Sequence, residues 1–372
     1  MSANSPSSSS SVSLPTPVTI EEIVHVAIDN HASDIHLKAG MQPILRIDGQ
    51  LRAITTMPLL EQKTLTSMLM ALLTPAQKKL FEENLELDAS IVFPGQARIR
   101  INMYTDIQSC GCAMRLVPLQ VPTLQQLGLP SIIEKLTHLK SGLVLVTGVT
   151  GAGKSTTLAA MIDEINRRDA AHIYTIEDPV EFVHRPVRSV ITQREIGTST
   201  KNFVGAVRAA LRADPNILLI GEMRDADTMV AALKAAETGL LVFSTLHTGS
   251  ATKTIQRILG IFEPKEQEAV RMQLAYALRA VICQQLLPTI EGGRKAFHEI
   301  LVNTSTIQEA ILFGEFDKLS EYMRNGAYDG MCVMDDCIYK AYSEGTIAGD
   351  VANEYALNGD EMERALRGAI VS

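Results

Sequence analysis

Apolar residues are spaced differently in the two halves of the chain. Behind the capping-box pattern Thr19-Ile20-Glu21-Glu22, residues Ile20, Ile23, Val24, Ala27 and Ile28 recur at helical spacing. Pro43 to Ile54 reads as a hairpin turning at Asp48-Gly49. Helical stretches near Glu61–Leu73 and Pro75–Leu85 precede three short strands: Leu87–Phe93, Ala97–Tyr104 and Cys110–Leu116. The first two of these strands are joined at Pro94-Gly95. The pattern predicts a compact α+β domain over residues 18–117. Residues 118–131, with three prolines, read as a linker.

From Ile132 onward short unbroken apolar runs alternate with helical stretches, which predicts a parallel sheet wrapped by helices over residues 132–372. The expected strands are Leu143–Val146, Ile173–Ile176, Ile217–Ile220 and Leu240–Leu246, and the helices include Thr156–Ile165, Phe203–Leu211 and Asp227–Glu237. After Pro264 the spacing reads as mainly helical, a cap on this second domain. Residues 1–17 are rich in Ser and Pro with few large apolar side chains, which predicts a disordered tail.

The strongest local signal is Gly148-Val149-Thr150-Gly151-Ala152-Gly153-Lys154-Ser155, a G-x-x-x-x-G-K-[ST] motif set between a predicted strand and a predicted helix that opens near Thr156. Glycines let successive backbone N–H groups turn inward, and the helix N-terminus adds its positive end. This implies a phosphate cradle for ATP, with Lys154 on the β- and γ-phosphates and the Ser155 hydroxyl on Mg²⁺. Phosphoryl transfer also needs a second metal-holding acid, a group to place the attacking water, and positive charge on the γ-phosphate. The position after the strand Ile217–Ile220 holds Gly221, so the acid is Glu222, holding the metal directly or through water. Glu177, Asp178 and Glu181 cluster at another strand end, and Glu177 is the candidate base that aligns the water. His247, after an apolar strand, is placed to sense the γ-phosphate or to bridge to a neighbouring acid. Arg98, Arg100 and Arg115 lie on strands of the first domain, and Arg98 and Arg100 share one strand face.

Composition narrows the classes of partner. A net charge of −8 argues against a surface built for a nucleic-acid backbone, which sets aside a nucleic-acid motor. No apolar run reaches the length of a membrane span, and no signal peptide is visible. The five cysteines form no C-x-x-C pair and read as reduced thiols.

From about Val18 to Thr346 the chain resembles the PilT/PilU class of type IV pilus retraction ATPases, within the secretion-ATPase superfamily. The residues that carry the resemblance are Ala32 to Leu37, the phosphate loop extended through Ala160, the acidic box Thr175 to Phe182, and Gln193-Arg194-Glu195. Gly221 to Asp225, Ala235 to Gly239 and Thr245 to Thr248 complete the set. The resemblance implies a PAS-like first domain and a RecA-like P-loop ATPase domain, an α/β fold overall. It implies a cytoplasmic homohexamer at an inner-membrane pilus platform protein, hydrolysis served by the acidic box and Glu222, and first-domain arginines that close over the nucleotide. Three positions depart from the family pattern. Leu240 stands where a second histidine is usual, and Gln108 where a further arginine is usual. The segment Thr306 to Glu315 is closer to the PilU form. The alternative implied is an accessory paralogue that binds ATP, hydrolyses weakly and assists another retraction ATPase.

Overall fold

A computed structural model describes residues 18–47, 49–93, 97–107, 109–117 and 120–368. The tail at residues 1–17, Asp48 of the first turn, the Pro94-Gly95 turn, Gln108 and the start of the linker at Pro118 lie outside them. The chain divides into two units, Met1–Leu119 and Gln120–Ser372.

The first unit is built on six strands: β1 (Asp34–Lys38), β2 (Ile44–Ile47), β3 (Gln50–Ala53), β4 (Glu86–Phe93), β5 (Ala97–Thr105) and β6 (Cys110–Val117). Their order is β3-β2-β1-β6-β5-β4, and every neighbouring pair is antiparallel. The helix Ile20–Asp29 begins with the predicted capping box, Thr19 and Glu22 each satisfying the other's backbone N–H. Helices Gln62–Ala71 and Pro75–Asn84 follow the hairpin. On β5 the residues Ile99, Ile101 and Met103 are fully buried, so the intervening Arg98, Arg100 and Asn102 occupy the opposite face. β1 is a strand that the apolar pattern does not announce. Only Ile35 and Leu37 alternate inward over its five residues, too short a run to declare itself.

The second unit carries β7 (Gly142–Thr147), β8 (His172–Glu177), β9 (Val190–Glu195), β10 (Ile217–Ile220), β11 (Leu241–Leu246), β12 (Leu278–Pro288) and β13 (Arg294–Val302). The order is β13-β12-β7-β11-β10-β8-β9, parallel throughout except for the antiparallel pair β12 and β13. The expectation of a mainly helical chain after Pro264 is therefore corrected. One helix, Pro264–Ala277, is followed by two long strands before helices resume at Ser305. The run Ala280–Cys283 is buried on both sides of the sheet, and a short fully buried strand has no periodicity to separate it from a buried helix.

Alternate residues of the parallel strands enter two cores. Leu143, Leu145, Leu218 and Ile220 pack with the helices around Val207, Met229 and Ile255, whereas Val144, Val146, Leu219 and Phe243 pack with Ile133, Leu158 and Ile162. Both faces are thus covered, as a parallel sheet requires. Among the described residues no helix is long and apolar enough to cross a membrane.

Candidate functional site

β7 is buried along its whole length and delivers the chain into the glycine loop. Gly148, Gly151 and Gly153 have φ values of 145°, 82° and 86°, a region that side-chain-bearing residues rarely enter. Space is a second constraint. A Cβ on Gly148 would stand 2.3 Å from the Gln284 carbonyl oxygen, and one on Gly153 would stand 2.7 Å from Gln284 Nε2. The helix Lys154–Arg168 starts with no side-chain cap, so its first N–H groups face the loop with no intrahelical acceptor. Such a helix end favours an anion. Val149 and Thr150 are exposed, Ala152 is buried, and Ser155 and Thr156 are half-buried on the first helical turn.

Lys154 is buried and donates from Nζ to Gly148 O at 2.9 Å and Val149 O at 3.1 Å. Burial lowers its pKa, and the negative charges of Glu181 and Glu222 oppose that shift. An ammonium group held in the mouth of a glycine loop, with two carboxylates near enough to act on it, fits a polyphosphate and its counter-ion. Ser155 and Glu222 are both hard oxygen donors, the type that suits Mg²⁺ alongside phosphate oxygens.

The acids stand where neighbouring parallel strands end. β10 lies between β8 and β11, so Glu177 at the end of β8 and Glu222 and His247 just beyond β10 and β11 stand at the ends of three adjacent strands. Gly221 explains why the acid comes one place late. Its N–H donates to Ile176 O at 2.8 Å, and a Cβ there would stand 3.3 Å from both Ile176 O and Glu177 Cα. A larger side chain would press β10 away from β8. Glu222 is buried; its Oε1 is 2.5 Å from an Arg224 guanidinium nitrogen and its Oε2 is 3.7 Å from His247 Nε2. His247 thus lies beside an acid.

Glu177 accepts hydrogen bonds from Thr175 Oγ1 at 2.7 Å and from Gln193 Nε2 at 3.2 Å. Desolvation pushes its pKa above the ordinary glutamate value, and these two donors pull the other way. Gln193 also donates to Phe182 O at 3.0 Å and accepts from the His184 N–H at 2.8 Å, bracing the whole acidic box. Gln193 and Arg224 fall inside the motifs above, but no local pattern in the sequence assigns them this work.

One further residue belongs to the site. Gln284 on β12 accepts from Thr157 Oγ1 and donates to Ala152 O, each at 2.7 Å. It links the middle of the loop to the helix behind it. No local pattern marks it, because both partners lie more than a hundred residues away in sequence.

Arg100 and Arg115 belong to the first unit, where they are direct cross-strand partners on β5 and β6. Arg115 Nε is 2.9 Å from Asp34 Oδ1, and Arg46 Nε is 3.7 Å from Asp34 Oδ2. Arg100 stands 3.9 Å from Asp88. Arg115 therefore carries an acidic partner that the sequence did not suggest, and Arg100 is the more loosely held of the two.

Sheet order, glycine loop and strand-end acids define an open α/β protein with an anion-binding loop at the carboxyl edge of a parallel sheet. The particular family follows from comparison: the model of the type II/IV secretion system proteins matches residues 11–311, and the chain belongs to that family. It is 42% identical over 337 residues to the type IV pilus retraction ATPase PilT of Pseudomonas aeruginosa, covering 91% of this chain and 98% of the relative. It is 34% identical over 348 residues to the type IV pilus ATPase PilU of the same organism, covering 93% and 91%. The crystal structure of the pilus retraction motor PilT with bound ADP superimposes with a TM-score of 0.88 at 41% identity, over 93% of this chain and 99% of that one.

Proposed function

We propose that this chain is an ATP-hydrolysing motor that drives type IV pilus retraction. The observation that carries the reading is the carboxyl edge itself: Lys154 in a glycine loop, with Glu177, Glu222 and His247 ending the adjacent strands. In this reading residues 148–156 cradle ATP, and Ser155 and Glu222 hold Mg²⁺, which neutralises charge on the phosphates when bound. Glu177, oriented by Thr175 and Gln193, aligns the attacking water. His247 responds to the γ-phosphate through Glu222. Arg100 and Arg115 supply positive charge from the first domain.

The organisation we infer is a PAS-like domain over residues 18–117, a linker at 118–131 and a RecA-like P-loop domain over 132–372. The working unit is a cytoplasmic homohexamer on an inner-membrane platform protein. The accessory reading, in which ATP is bound but hydrolysed slowly, rests in part on Leu240. That residue precedes β11 at its amino end, about 23 Å along the strand from His247 at a rise near 3.3 Å per residue. Its side chain is packed against the core rather than standing at the carboxyl edge of its own chain. This favours the motor reading.

The test is a deletion strain complemented with the wild-type or the Lys154→Ala chain and scored for surface motility and pilus number. Immotile, hyperpiliated cells rescued only by the wild type are expected. Normal motility without the chain, or full rescue by Lys154→Ala, would overturn the proposal.

A further inference from the structure

Two of the five cysteines meet at a position with no part in the site above. The helix Met334–Ser343 has Val333 as its N-cap, which makes Cys332 the residue before the cap and Cys337 the fourth of the helix. Those two places are the ones whose side chains pack against each other at a helix start, where a hydrophobic staple is usual. Here both are thiols, close enough for each to act on the other's ionisation.

The backbone around them is well fixed. Cys332 exchanges two backbone hydrogen bonds with Ile300 of β13, at 2.9 and 3.1 Å, and its Sγ donates to His298 O at 3.3 Å. The Cys337 N–H donates to Val333 O at 3.2 Å, the first turn of the helix. Both residues are partly exposed, unlike Cys110, Cys112 and Cys283, which are buried.

We propose that Cys332 and Cys337 form a dithiol site that hydroperoxides oxidise to an intrachain disulfide, a covalent staple tying the helix Met334–Ser343 to β13. Cys332 is the attacking sulfur. Cys337 and the backbone contact with Ile300 favour its thiolate, against burial and the loss of its own bond to His298 O, whereas the same pairing holds Cys337 protonated. Reactive cysteines are those whose thiolate is favoured and reachable.

The chemistry closes in two steps. Cys332 gives its proton to solvent, and the thiolate attacks the O–O bond of the hydroperoxide. The sulfur becomes a sulfenic acid, losing two electrons, while the peroxide is reduced to alkoxide, which takes up a proton as the alcohol. Cys337 sulfur then attacks the sulfenic sulfur. The S–S bond forms, the S–O bond breaks, and the departing hydroxide leaves as water with the Cys337 proton. Fixed neighbours make the second step fast relative to further oxidation. A dithiol reductant restores both thiols by exchange.

The experiment uses the full chain, reduced and then exposed to hydrogen peroxide, followed by alkylation and peptide mass mapping. The wild type should lose two alkylatable thiols, yield a linked Cys332–Cys337 peptide about 2 Da lighter than the reduced form, and recover both with dithiothreitol. A sulfenic-acid probe such as dimedone should label Cys332 in Cys337→Ser at least tenfold more than in the wild type. Peroxide should leave the thiols of Cys332→Ser intact, Cys337 included. Equal thiol loss in the wild type and the Cys332→Ser/Cys337→Ser double variant would overturn the proposal. So would a wild-type chain that accumulates Cys332 sulfenic acid and no disulfide.

Discussion

Replacing Gln284 with leucine tests whether β12 shapes the phosphate loop. The side chain is 3% exposed and makes two hydrogen bonds of 2.7 Å, one as acceptor and one as donor. Leucine has nearly the same volume but leaves Thr157 Oγ1 without its acceptor and Ala152 O without its donor. Each orphaned buried group costs about 1–3 kcal/mol, so the pair costs about 2–6 kcal/mol. Added apolar burial returns about 1–2 kcal/mol. The middle of these ranges is a net loss of about 2–3 kcal/mol.

That loss falls on the loop before it falls on the fold. Gly148 lies close against the Gln284 backbone and Gly153 against its side-chain amide, and among the described residues no other side chain bonds both Ala152 O and Thr157. If about 1.4 kcal/mol appears as a loop that must be ordered again by the ligand, nucleotide affinity falls about tenfold. The assays are a denaturant melt and a titration with a fluorescent ADP analogue. Thr157→Val removes only one of the two bonds, so it should cost less than Gln284→Leu. Because the two residues share a bond, the double variant should cost less than the sum of the singles. A Gln284→Leu chain with wild-type affinity and melting would refute the idea that this glutamine holds the loop. Additive single effects would show that the two side chains act apart.

Glu177→Gln and Glu222→Gln should each lower phosphate release by orders of magnitude but separate in a Mg²⁺ titration. Only the Glu222 variant should need more metal to bind nucleotide, and overlapping titrations would contradict the division of roles. Burial favours the neutral form of Glu177, so a base at this position loses its charge at a higher pH than an ordinary glutamate. Hydrolysis should therefore fall on acidification through a limb above pH 4.5, and a limb at or below that value would speak against Glu177 as the base. Arg100→Ala and Arg115→Ala should reduce turnover by about 10³-fold or more while nucleotide affinity changes little. Near-normal turnover in both, with assembly intact, would remove the first domain from the chemistry. Arg115→Ala should also loosen Asp34, which keeps the Ser33 hydroxyl at 2.8 Å and Arg46 at 3.7 Å. A larger loss of stability in Arg115→Ala than in Arg100→Ala is the expected result in a denaturant melt.

What the sequence discloses about this molecule depends on the range of the interaction that fixes each part. The glycine loop is legible because its backbone turns, helix start and lysine all lie within eight consecutive residues. The strand-end acids are legible for a similar reason, since a four-residue apolar run ending in a charge is a local pattern. β12 is not, because Ala280–Cys283 becomes a strand by pairing with β7 on one side and β13 on the other. Gln284 inherits that obscurity: its function exists only once β12 lies beside β7 and its backbone reaches Gly148. The same logic covers Gly221, whose missing side chain answers to Glu177 and Ile176 on β8. It also covers Asp34, which meets Arg115 only through the pairing of β1 with β6. The loop and the strand-end acids are thus written locally and the groups that brace them are written across strands. A variant that keeps the loop motif and disturbs β12 should lose nucleotide affinity with the motif intact, an outcome that motif reading alone does not anticipate.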